Sequence, residues 1–348
     1  MDIVIGLLII AIGAFCQSSC YVPINKIKDW SWESYWIIQG VFAWLVFPFL
    51  GALLAVPSGH SIFDLFAQAD SFSLWMTIIF GILWGVGGLT FGLSMRYLGV
   101  ALGQSIALGT CAGLGTVMGP VLLNIFFPEL NALESLTFAV IIGVVVTLVG
   151  IAVIGIAGGM KSASLSEEEK KAAVKDFNFP KGLAIALLAG FMSGCFNVGL
   201  EFGKVIVAPA EWGAVAPMFQ TLPATFLVTL GGFLTNAVYC FYQNQANRTW
   251  GDYKKGAVWG NNLLFCAIAG ALWYSQFFGL SLGKGFLTDS PTLMTLSFCI
   301  LMALNVVFSN VWGIILKEWK GCSKKTIYVL ICGIIILIIS TFIPQLLA

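Results

Sequence analysis

The sequence predicts an all-α integral membrane protein with ten transmembrane helices in two inverted five-helix repeats. Of its 348 residues, 59% are hydrophobic and only 9% are charged, whereas soluble domains carry about 25% charged residues. Apolar stretches of about 20 residues, the length that crosses ~30 Å of hydrocarbon, recur along the whole chain. Related segments also occur at matching places in the two halves, which is typical of membrane proteins built by duplication.

Ten apolar stretches are long enough to be predicted spans. In chain order they cover residues 3–23, 35–56, 73–97, 99–126, 136–158, 181–206, 214–243, 260–283, 291–315 and 325–346. Each is predicted to be helical, because backbone polar groups in a bilayer must be satisfied within the segment itself. The first stretch follows Asp2 and lacks a basic segment before it, so we interpret it as a retained helix and not a cleaved signal.

The basic residues predict how the chain is oriented. All but two of the 17 Lys and Arg residues fall in loops that follow odd-numbered spans, the exceptions being Lys204 and Lys284. Cytoplasmic loops of membrane proteins are enriched in Lys and Arg. The odd-numbered loops are therefore predicted to be cytoplasmic and both termini to lie outside, in a multi-pass protein of the cell inner (plasma) membrane. Trp30, Trp32 and Trp36 are predicted to anchor this topology at the membrane interface.

A charged segment near the middle of the chain predicts the domain organisation. Residues 1–158 form the predicted first repeat, residues 159–180 a cytoplasmic linker, and residues 181–348 the second repeat. Three pairs of segments match in the same order in both halves. They are GLLIIAIGAF from Gly6 with GLAIALLAGF from Gly182, GILW at Gly81–Trp84 with GALW at Gly270–Trp273, and FGLS at Phe91–Ser94 with FGLS at Phe278–Ser281. Their shared order indicates an internal duplication.

The number of spans in each half gives the repeat its inverted topology. Five is odd, so the second half must enter the membrane from the opposite side. Inverted repeats of this kind are common in secondary transporters, in which the binding site lies near the bilayer midplane between the repeats. A channel or a scaffold built from the same duplication is the alternative interpretation.

Several function classes find no support in the sequence. There is no HExxH zinc motif and no Walker A lysine loop, so neither a metalloenzyme nor an ATP-driven pump is predicted. The single histidine, His60, falls in a predicted external loop, and no metal site or cofactor is expected. A net charge of +1 gives no indication of a nucleic-acid partner, and the sequence leaves the oligomeric state open.

One acidic residue stands out as a candidate for proton coupling. Glu201 lies inside the sixth predicted span, one or two turns from its outer end, whereas the other acidic residues fall in loops or near span ends. Charged groups within a membrane are costly and mark function by default. Lys204 follows three residues later on the same helix face, so a structural ion pair at the interface is the alternative.

Uncharged polar and aromatic side chains inside the spans are the candidates for binding a substrate. The amides are Gln39, Gln104, Asn197, Asn262 and Gln276, and the aromatic residues are Trp84, Trp273 and Tyr274. Neutral polyols are bound by amide hydrogen bonds against an aromatic platform. No buried cluster of basic residues is predicted, which argues against an anionic substrate. The alternative for each amide is a hydrogen bond between helices.

Four segments resemble the L-rhamnose/proton symporters, a family similar to the drug/metabolite transporter superfamily. They are KIKDWSWESYW at Lys26–Trp36, LWGVGGLTFGLSMRYLGVALGQSIALG at Leu83–Gly109, LWYSQFFGLSLG at Leu272–Gly283 and LKEW at Leu316–Trp319. The resemblance runs over most of the chain and implies ten helices in two inverted halves. It also implies inward symport of L-rhamnose, or of a related neutral methylpentose, with protons.

Other functions on the same fold remain open from the sequence. The chain could be an exporter or an exchanger of another small metabolite, or a membrane sensor that binds sugar without transporting it. Sodium is an alternative coupling ion, because backbone carbonyls and amides bind it without a carboxylate.

Overall fold

The structure is a computed structural model that describes residues 2–98, 100–164, 179–207, 215–315 and 319–343. The described residues form ten long helices, with no strand among them. These helices are α1 (Asp2–Ile24), α2 (Trp32–Leu53), α3 (Ser71–Leu98), α4 (Val100–Phe126), α5 (Phe138–Ala163), α6 (Phe179–Val207), α7 (Leu222–Asn247), α8 (Gly256–Gly285), α9 (Pro291–Ile315) and α10 (Lys324–Ser340). A short helix, Ile62–Gln68, precedes α3.

Nine of these helices, α1 to α9, are long and apolar enough to cross a membrane within the described part of the chain. The protein is therefore a multi-pass helical membrane protein. The tenth helix has 17 residues, which is slightly shorter than the ~20 residues of a typical span. Ten spans and an inverted repeat consequently remain a prediction.

Two of the predicted span boundaries can be compared with helix ends in the structure. The division between the third and fourth spans is confirmed, since α3 ends at Leu98 and α4 begins at Val100. The seventh span, predicted from residue 214, begins as an α-helix only at Leu222, after a 3₁₀ turn at Pro217–Phe219. Pro223 in the first turn of α7 favours a helix start there, because proline lacks the backbone N–H that a helix interior requires.

Helix α2 contains a π-helical segment at its centre. Residues Val41–Val46 form a π-helix between α-helical Trp32–Gly40 and Phe47–Leu53. Pro48 is the second residue after this segment. A proline ring clashes with the carbonyl four residues earlier in a regular α-helix, and the wider π turn relieves that clash. Such segments are frequent at functional sites, because they change the direction in which side chains point.

The chain folds into two compact units, each made of segments from both halves of the sequence. The first unit comprises Met1–Gly85 and Gly199–Thr288, and the second comprises Val86–Val198 and Asp289–Ala348. The predicted boundary between repeats follows the chain and is a different division. Of the predicted linker, residues 165–178 lie outside the described residues.

Within the first unit, glycines allow close packing of α1 on α8. A Cβ added at Gly13 would lie 2.8 Å from the carbonyl oxygen of Ser275, and one at Gly283 would lie 2.7 Å from that of Gly6. Real Cβ atoms do not approach backbone oxygens so closely, so these positions need glycine. Small residues at helix interfaces are the usual means of packing helices in lipid.

Within the second unit, α5 packs on α4 and α10. A Cβ at Gly333 would lie 2.5 Å from the Ile154 side chain, and Thr147 donates a hydrogen bond of 3.0 Å to Ser340 across the same interface. The contact between α5 and α10 thus includes glycines on both helices, Gly150 and Gly333, and one pair of hydroxyl groups.

Candidate functional site

Three tryptophans from three helices meet in the first unit. Trp44 on α2 stands nearly perpendicular to Trp84 on α3 and to Trp273 on α8, with ring centroids 6.1 and 6.0 Å apart. The Trp84 and Trp273 rings are 5.6 Å apart and tilted by 37°. We call Trp44, Trp84 and Trp273 the tryptophan cluster. Two of its members were predicted from the sequence, and the structure brings them together.

Glycines make room for these rings. A Cβ at Gly232 on α7 would overlap the ring of Trp84, and one at Gly40 would lie 2.5 Å from Cζ3 of Trp44. Trp44 itself lies in the π-helical segment of α2. The position of the cluster therefore depends on two glycines and on the widened turn of α2.

Three buried polar atoms on α2 and α8 make no hydrogen bond to any described residue. They are Nε1 of Trp44, Oε1 of Gln39 and the hydroxyl group of Tyr274. Their residues are 3%, 2% and 6% exposed. Buried polar groups are nearly always paired, so each exception calls for an explanation. An indole donor, an amide acceptor and a phenol that can do both are suited to the hydroxyl groups of a neutral ligand.

Two predicted amides of α8 have partners within the protein. Asn262 is fully buried and holds the loop before α2, since its Oδ1 accepts from the Lys28 N–H at 3.0 Å and its Nδ2 donates to the Lys28 carbonyl at 2.8 Å. Gln276 donates to the Trp273 carbonyl at 3.2 Å. Asn262 therefore bonds to the backbone of a loop, whereas the alternative interpretation of the amides was a hydrogen bond between helices.

Gln39 is in the first unit, and the remaining two predicted amides belong to the second unit. Asn197 on α6 is 3% exposed and donates to the Gly115 carbonyl of α4 at 2.8 Å. Its Oδ1 makes no hydrogen bond to a described residue, which leaves one acceptor in a buried position. The side chain of Gln104 lies outside the described residues.

Glu201 is buried and lies between two lysines. Its Oε2 is 2.5 Å from Nζ of Lys204, and the side chains are 8% and 57% exposed. Lys284 on α8 is only 6% exposed and interacts electrostatically with both residues. The predicted Glu201–Lys204 pair is thus present, and Lys284 is a second cation that sequence analysis noticed only as an exception to the charge bias.

A polar network joins the start of α2 to the end of α7 and the turn that follows it. We call Glu33, Ser34, Asn244, Thr249 and Asp252 the loop network. Glu33 Oε1 accepts from Thr249 Oγ1 at 2.8 Å. Ser34 Oγ lies within donating distance of Asp252 Oδ2, at 3.0 Å, and of Asn244 Oδ1, at 3.2 Å. All of these residues were assigned to loops or helix ends by sequence.

Asp252 is the most strongly held member of this network. It accepts from the Ser31 N–H at 2.7 Å, and its Oδ1 is 2.6 Å from Nζ of Lys255. Burial works in the opposite direction, but the Lys255 ammonium and the donors of Ser31 and Ser34 lower the pKa of Asp252 to about 2. Trp30 donates to the Asp252 carbonyl at 2.9 Å and is 8% exposed. Trp30 is therefore packed within the protein, and its predicted role as an interface anchor stays a prediction.

Three buried residues were missed by sequence analysis. Trp44 resembles any apolar residue in the middle of a span, and no local signal distinguishes it. Glu33 is 5% exposed, and from sequence it was placed only among the acidic residues in loops or near span ends. Lys284 carried a usable signal, because a basic residue against the charge bias needs a compensating partner.

The segment GLSLG at residues 279–283 matches the G-x-S-x-G spacing of hydrolase nucleophile elbows. Such an elbow requires a sharp turn between a strand and a helix that exposes the serine. Here the segment lies inside α8, and Ser281 is fully buried and donates to the Met218 carbonyl at 2.9 Å. The serine therefore packs α8 against the Pro217–Phe219 turn.

Comparison with known proteins gives one consistent result. The profile of the family described as L-rhamnose-proton symport protein matches residues 1–347. Similar proteins called L-rhamnose-proton symporter occur in Yersinia pestis (strain Pestoides F) and Yersinia pseudotuberculosis (serotype O:1b, strain IP 31758). Each is 30% identical to this chain over 342 residues, which cover 97% of this chain and 96% of the relative.

Proposed function

This chain belongs to the L-rhamnose-proton symport protein family, and on that premise we propose that it takes up L-rhamnose, or a related neutral methylpentose, together with protons. The family is one of transporters, so the expectation that the chain is not an enzyme is confirmed. The proposal is carried by the extent of the match, since residues 1–347 are covered and both halves of the chain are included.

The sugar is proposed to bind at the tryptophan cluster. Indole rings pack against the C–H faces of a sugar, and the free polar atoms of Gln39, Trp44 and Tyr274 supply one acceptor, one donor and one group of either kind. No charged residue belongs to this set, which suits a neutral substrate. Asn197 and Gln104, which belong to the second unit, stay sequence-based candidates and are not part of this proposed set.

Glu201 is proposed to carry the proton on the external side. It is a buried carboxylate in a membrane-spanning helix, and such residues mark proton pathways in transporters. Lys204 is 57% exposed and gives the carboxylate a connection to the predicted external water. A proton arriving there would neutralise Glu201 and leave Lys284 without its counter-charge, so binding of the proton would change the contact between α6 and α8.

The helix pairings support an inverted repeat as the basis of alternating access. If the two halves of the chain are repeats of each other, α1 corresponds to α6, α2 to α7 and α3 to α8. The contact of α3 with α7 through Gly81 and Val228 then corresponds to that of α8 with α2 through Gly270 and Phe42. Gly81 and Gly270 begin the matched GILW and GALW segments, so matched glycines pack against corresponding helices. We further propose that both termini lie outside the inner membrane and that the linker is cytoplasmic.

Uptake into proteoliposomes tests this function. L-[³H]rhamnose should accumulate under an inward proton gradient, and a protonophore should abolish that accumulation. An inward sodium gradient is the matched control and should give none. Glu201→Gln should lose accumulation while retaining exchange of internal for external sugar, because exchange requires no net proton movement. Absence of accumulation by folded protein under either gradient would rule out rhamnose symport.

A further inference from the structure

One member of the tryptophan cluster takes its place from an irregular turn. Trp44 lies in the π-helical segment of α2 and is 3% exposed. At the start of this segment the N–H of Val41 bonds to the Ile37 carbonyl, four residues earlier, as in an α-helix. At its end the N–H of Phe47 bonds to the Phe42 carbonyl, five residues earlier. The turn therefore holds one residue more than an α-helical turn, which changes the direction of all later side chains by roughly 100°.

The half of α2 that precedes the π-helical segment is fixed against α7. Glu33 Oε1 accepts a hydrogen bond of 3.0 Å from Asn247 Nδ2. Trp36 Nε1 donates a hydrogen bond of 3.0 Å to Asn236 Oδ1. Both partners belong to α7, and the two bonds lie almost one turn apart on α2. Together they set the rotation of this half of the helix about its axis.

The half of α2 that follows the segment is fixed by different contacts. Gly51 lies against Tyr274 of α8, and a Cβ added there would overlap the tyrosine hydroxyl oxygen. Ala52 is fully buried and belongs to one apolar cluster with Ile62 and Leu65 of the short helix before α3. Because both halves are held, the extra residue of α2 has to be accommodated somewhere between them.

Pro48 determines where between the two halves the extra residue lies. It is buried and stands four residues after Trp44. In a regular α-helix the N–H at this position would bond to the Trp44 carbonyl, but proline lacks that donor and its ring clashes with the same carbonyl. A π turn that includes Trp44 relieves the clash, whereas one placed nearer either end of α2 does not. The proline therefore places the widened turn at the residue that carries the indole ring.

We propose that Pro48 is a positioning residue of the sugar site, which directs Trp44 toward Trp84 and Trp273 by fixing the π-helical segment at Val41–Val46. Without the proline, the two held halves of α2 still require an extra residue, but its place is no longer specified. Trp44 then takes more than one orientation, and fewer molecules present the complete site. The inference rests on the proposed binding of the sugar at the tryptophan cluster.

Fluorine NMR tests this positioning without any sugar. The protein would be labelled with 5-fluorotryptophan, and among its 12 tryptophans the Trp44 resonance is the one that is missing from Trp44→Phe. In Pro48→Ala this resonance should shift, and broaden or split, because the indole ring leaves its single position against the other two rings. A thermal unfolding curve of the same sample shows that the variant is folded, as expected because the contacts of both halves remain.

Another proline of the same region provides the control. Pro57 is exposed and lies beyond the end of α2, so Pro57→Ala should leave the Trp44 resonance unchanged. A Trp44 resonance of wild-type position and width in folded Pro48→Ala would overturn the proposal.

A double-mutant cycle connects the position of Trp44 with sugar binding. Equilibrium binding of L-[³H]rhamnose would be measured for purified wild type, Pro48→Ala, Trp44→Leu and the double variant. Pro48→Ala should weaken binding about fivefold in wild type but less than about twofold in Trp44→Leu, because a residue that acts through Trp44 has no further effect once the indole is gone. The same factor in both backgrounds would show a general effect on the fold and would contradict the positioning role.

The two measurements separate this inference from the proposed function. If wild type binds no rhamnose, the substrate assignment fails, and the fluorine resonance alone decides whether Pro48 positions Trp44. If the resonance changes in Pro48→Ala while rhamnose affinity stays at the wild-type value, Trp44 does not belong to the sugar site and Pro48 has no positioning role there.

Discussion

Trp84 and Trp273 stand at the same place in two matched segments, GILW and GALW, and their rings are in contact, with centroids 5.6 Å apart. In a protein with a pseudo-two-fold axis, a residue meets its repeat equivalent only close to that axis. The inverted repeat of such transporters places the substrate near the same axis. The contact of these two residues therefore connects the predicted duplication with the proposed sugar site.

Equivalent positions should make comparable contributions to sugar binding. We expect Trp84→Leu and Trp273→Leu each to raise the KM for uptake about tenfold, which corresponds to ~1.4 kcal/mol of binding free energy. The physical reason is that each change removes one aromatic surface of the same site. Initial uptake rates over a range of rhamnose concentrations measure this effect. A large effect of one substitution with none of the other would argue against a shared site.

The indole N–H of Trp44 should act as a hydrogen-bond donor to the sugar. Trp44→Phe keeps an aromatic ring and removes that donor, so we expect sugar affinity to fall about two- to tenfold, as for the loss of ~0.5–1.5 kcal/mol from one hydrogen bond. Equilibrium binding to purified protein provides the measurement. Trp75→Phe is the matched control, because Trp75 on α3 is 63% exposed and should bind sugar as wild type does.

Glu201 and Lys284 should stabilise the protein as a coupled pair. Glu201→Gln removes a negative charge that interacts electrostatically with the buried Lys284, and breaking a buried pair costs about 3–5 kcal/mol. We expect a clear fall in the thermal unfolding midpoint in detergent. Glu201→Gln combined with Lys284→Met should recover part of that loss, since both charges are then removed. Additive losses in the double variant would show that the two residues do not interact.

The contribution of Asp252 to stability should change with pH only in acid. Its folded-state pKa of about 2 lies below the ordinary value of 3.8, so its ionised form stabilises the fold above the unfolded pKa. That contribution is lost as pH falls through the range from about 4 to about 2. Wild type should therefore exceed Asp252→Asn in melting temperature by a constant amount from pH 8 to 5. A difference that already declines between pH 7 and 5 would contradict the low pKa.

Asn262 should matter for stability and not for sugar recognition. Its buried amide makes two hydrogen bonds with the Lys28 backbone, so Asn262→Ala should cost about 1–3 kcal/mol. The rhamnose KM should change less than twofold. Asn261→Ala removes a more exposed bond to the Lys26 carbonyl and should cost less. A large rise in KM without loss of stability would restore the sequence prediction that Asn262 binds substrate.

Much of the architecture could be predicted from composition alone. The lengths of the apolar stretches agree with nine membrane-crossing helices among the described residues, because a bilayer imposes one length and one backbone structure on every span. The start of α7 was placed too early, since hydropathy does not register the two prolines at Pro217 and Pro223. Hydropathy therefore predicts that a span exists more reliably than it predicts the residue at which the helix begins.

The candidate site was only partly predictable for a different reason. Trp84 and Trp273 were found because the repeat marked them, and Glu201 because a charge within a span is unusual. Trp44 and Glu33 carry no such mark, since a tryptophan within a span and a glutamate at its start are both ordinary. Only the contacts of Trp44 with two other helices, and of Glu33 with Asn247 and Thr249, distinguish them.

The sequence by itself determined that this chain is a helical membrane protein, which family it resembles and which residues repeat. Those properties follow from the free-energy cost of exposing polar backbone and charged groups to lipid. Each span must satisfy that constraint with its own residues. The tertiary structure alone decided which side chains meet. It placed Asn262 on the Lys28 backbone, Lys284 near Glu201, and Trp44 against both Trp84 and Trp273. These hydrogen bonds, electrostatic interactions and ring contacts form between residues that are far apart in the chain.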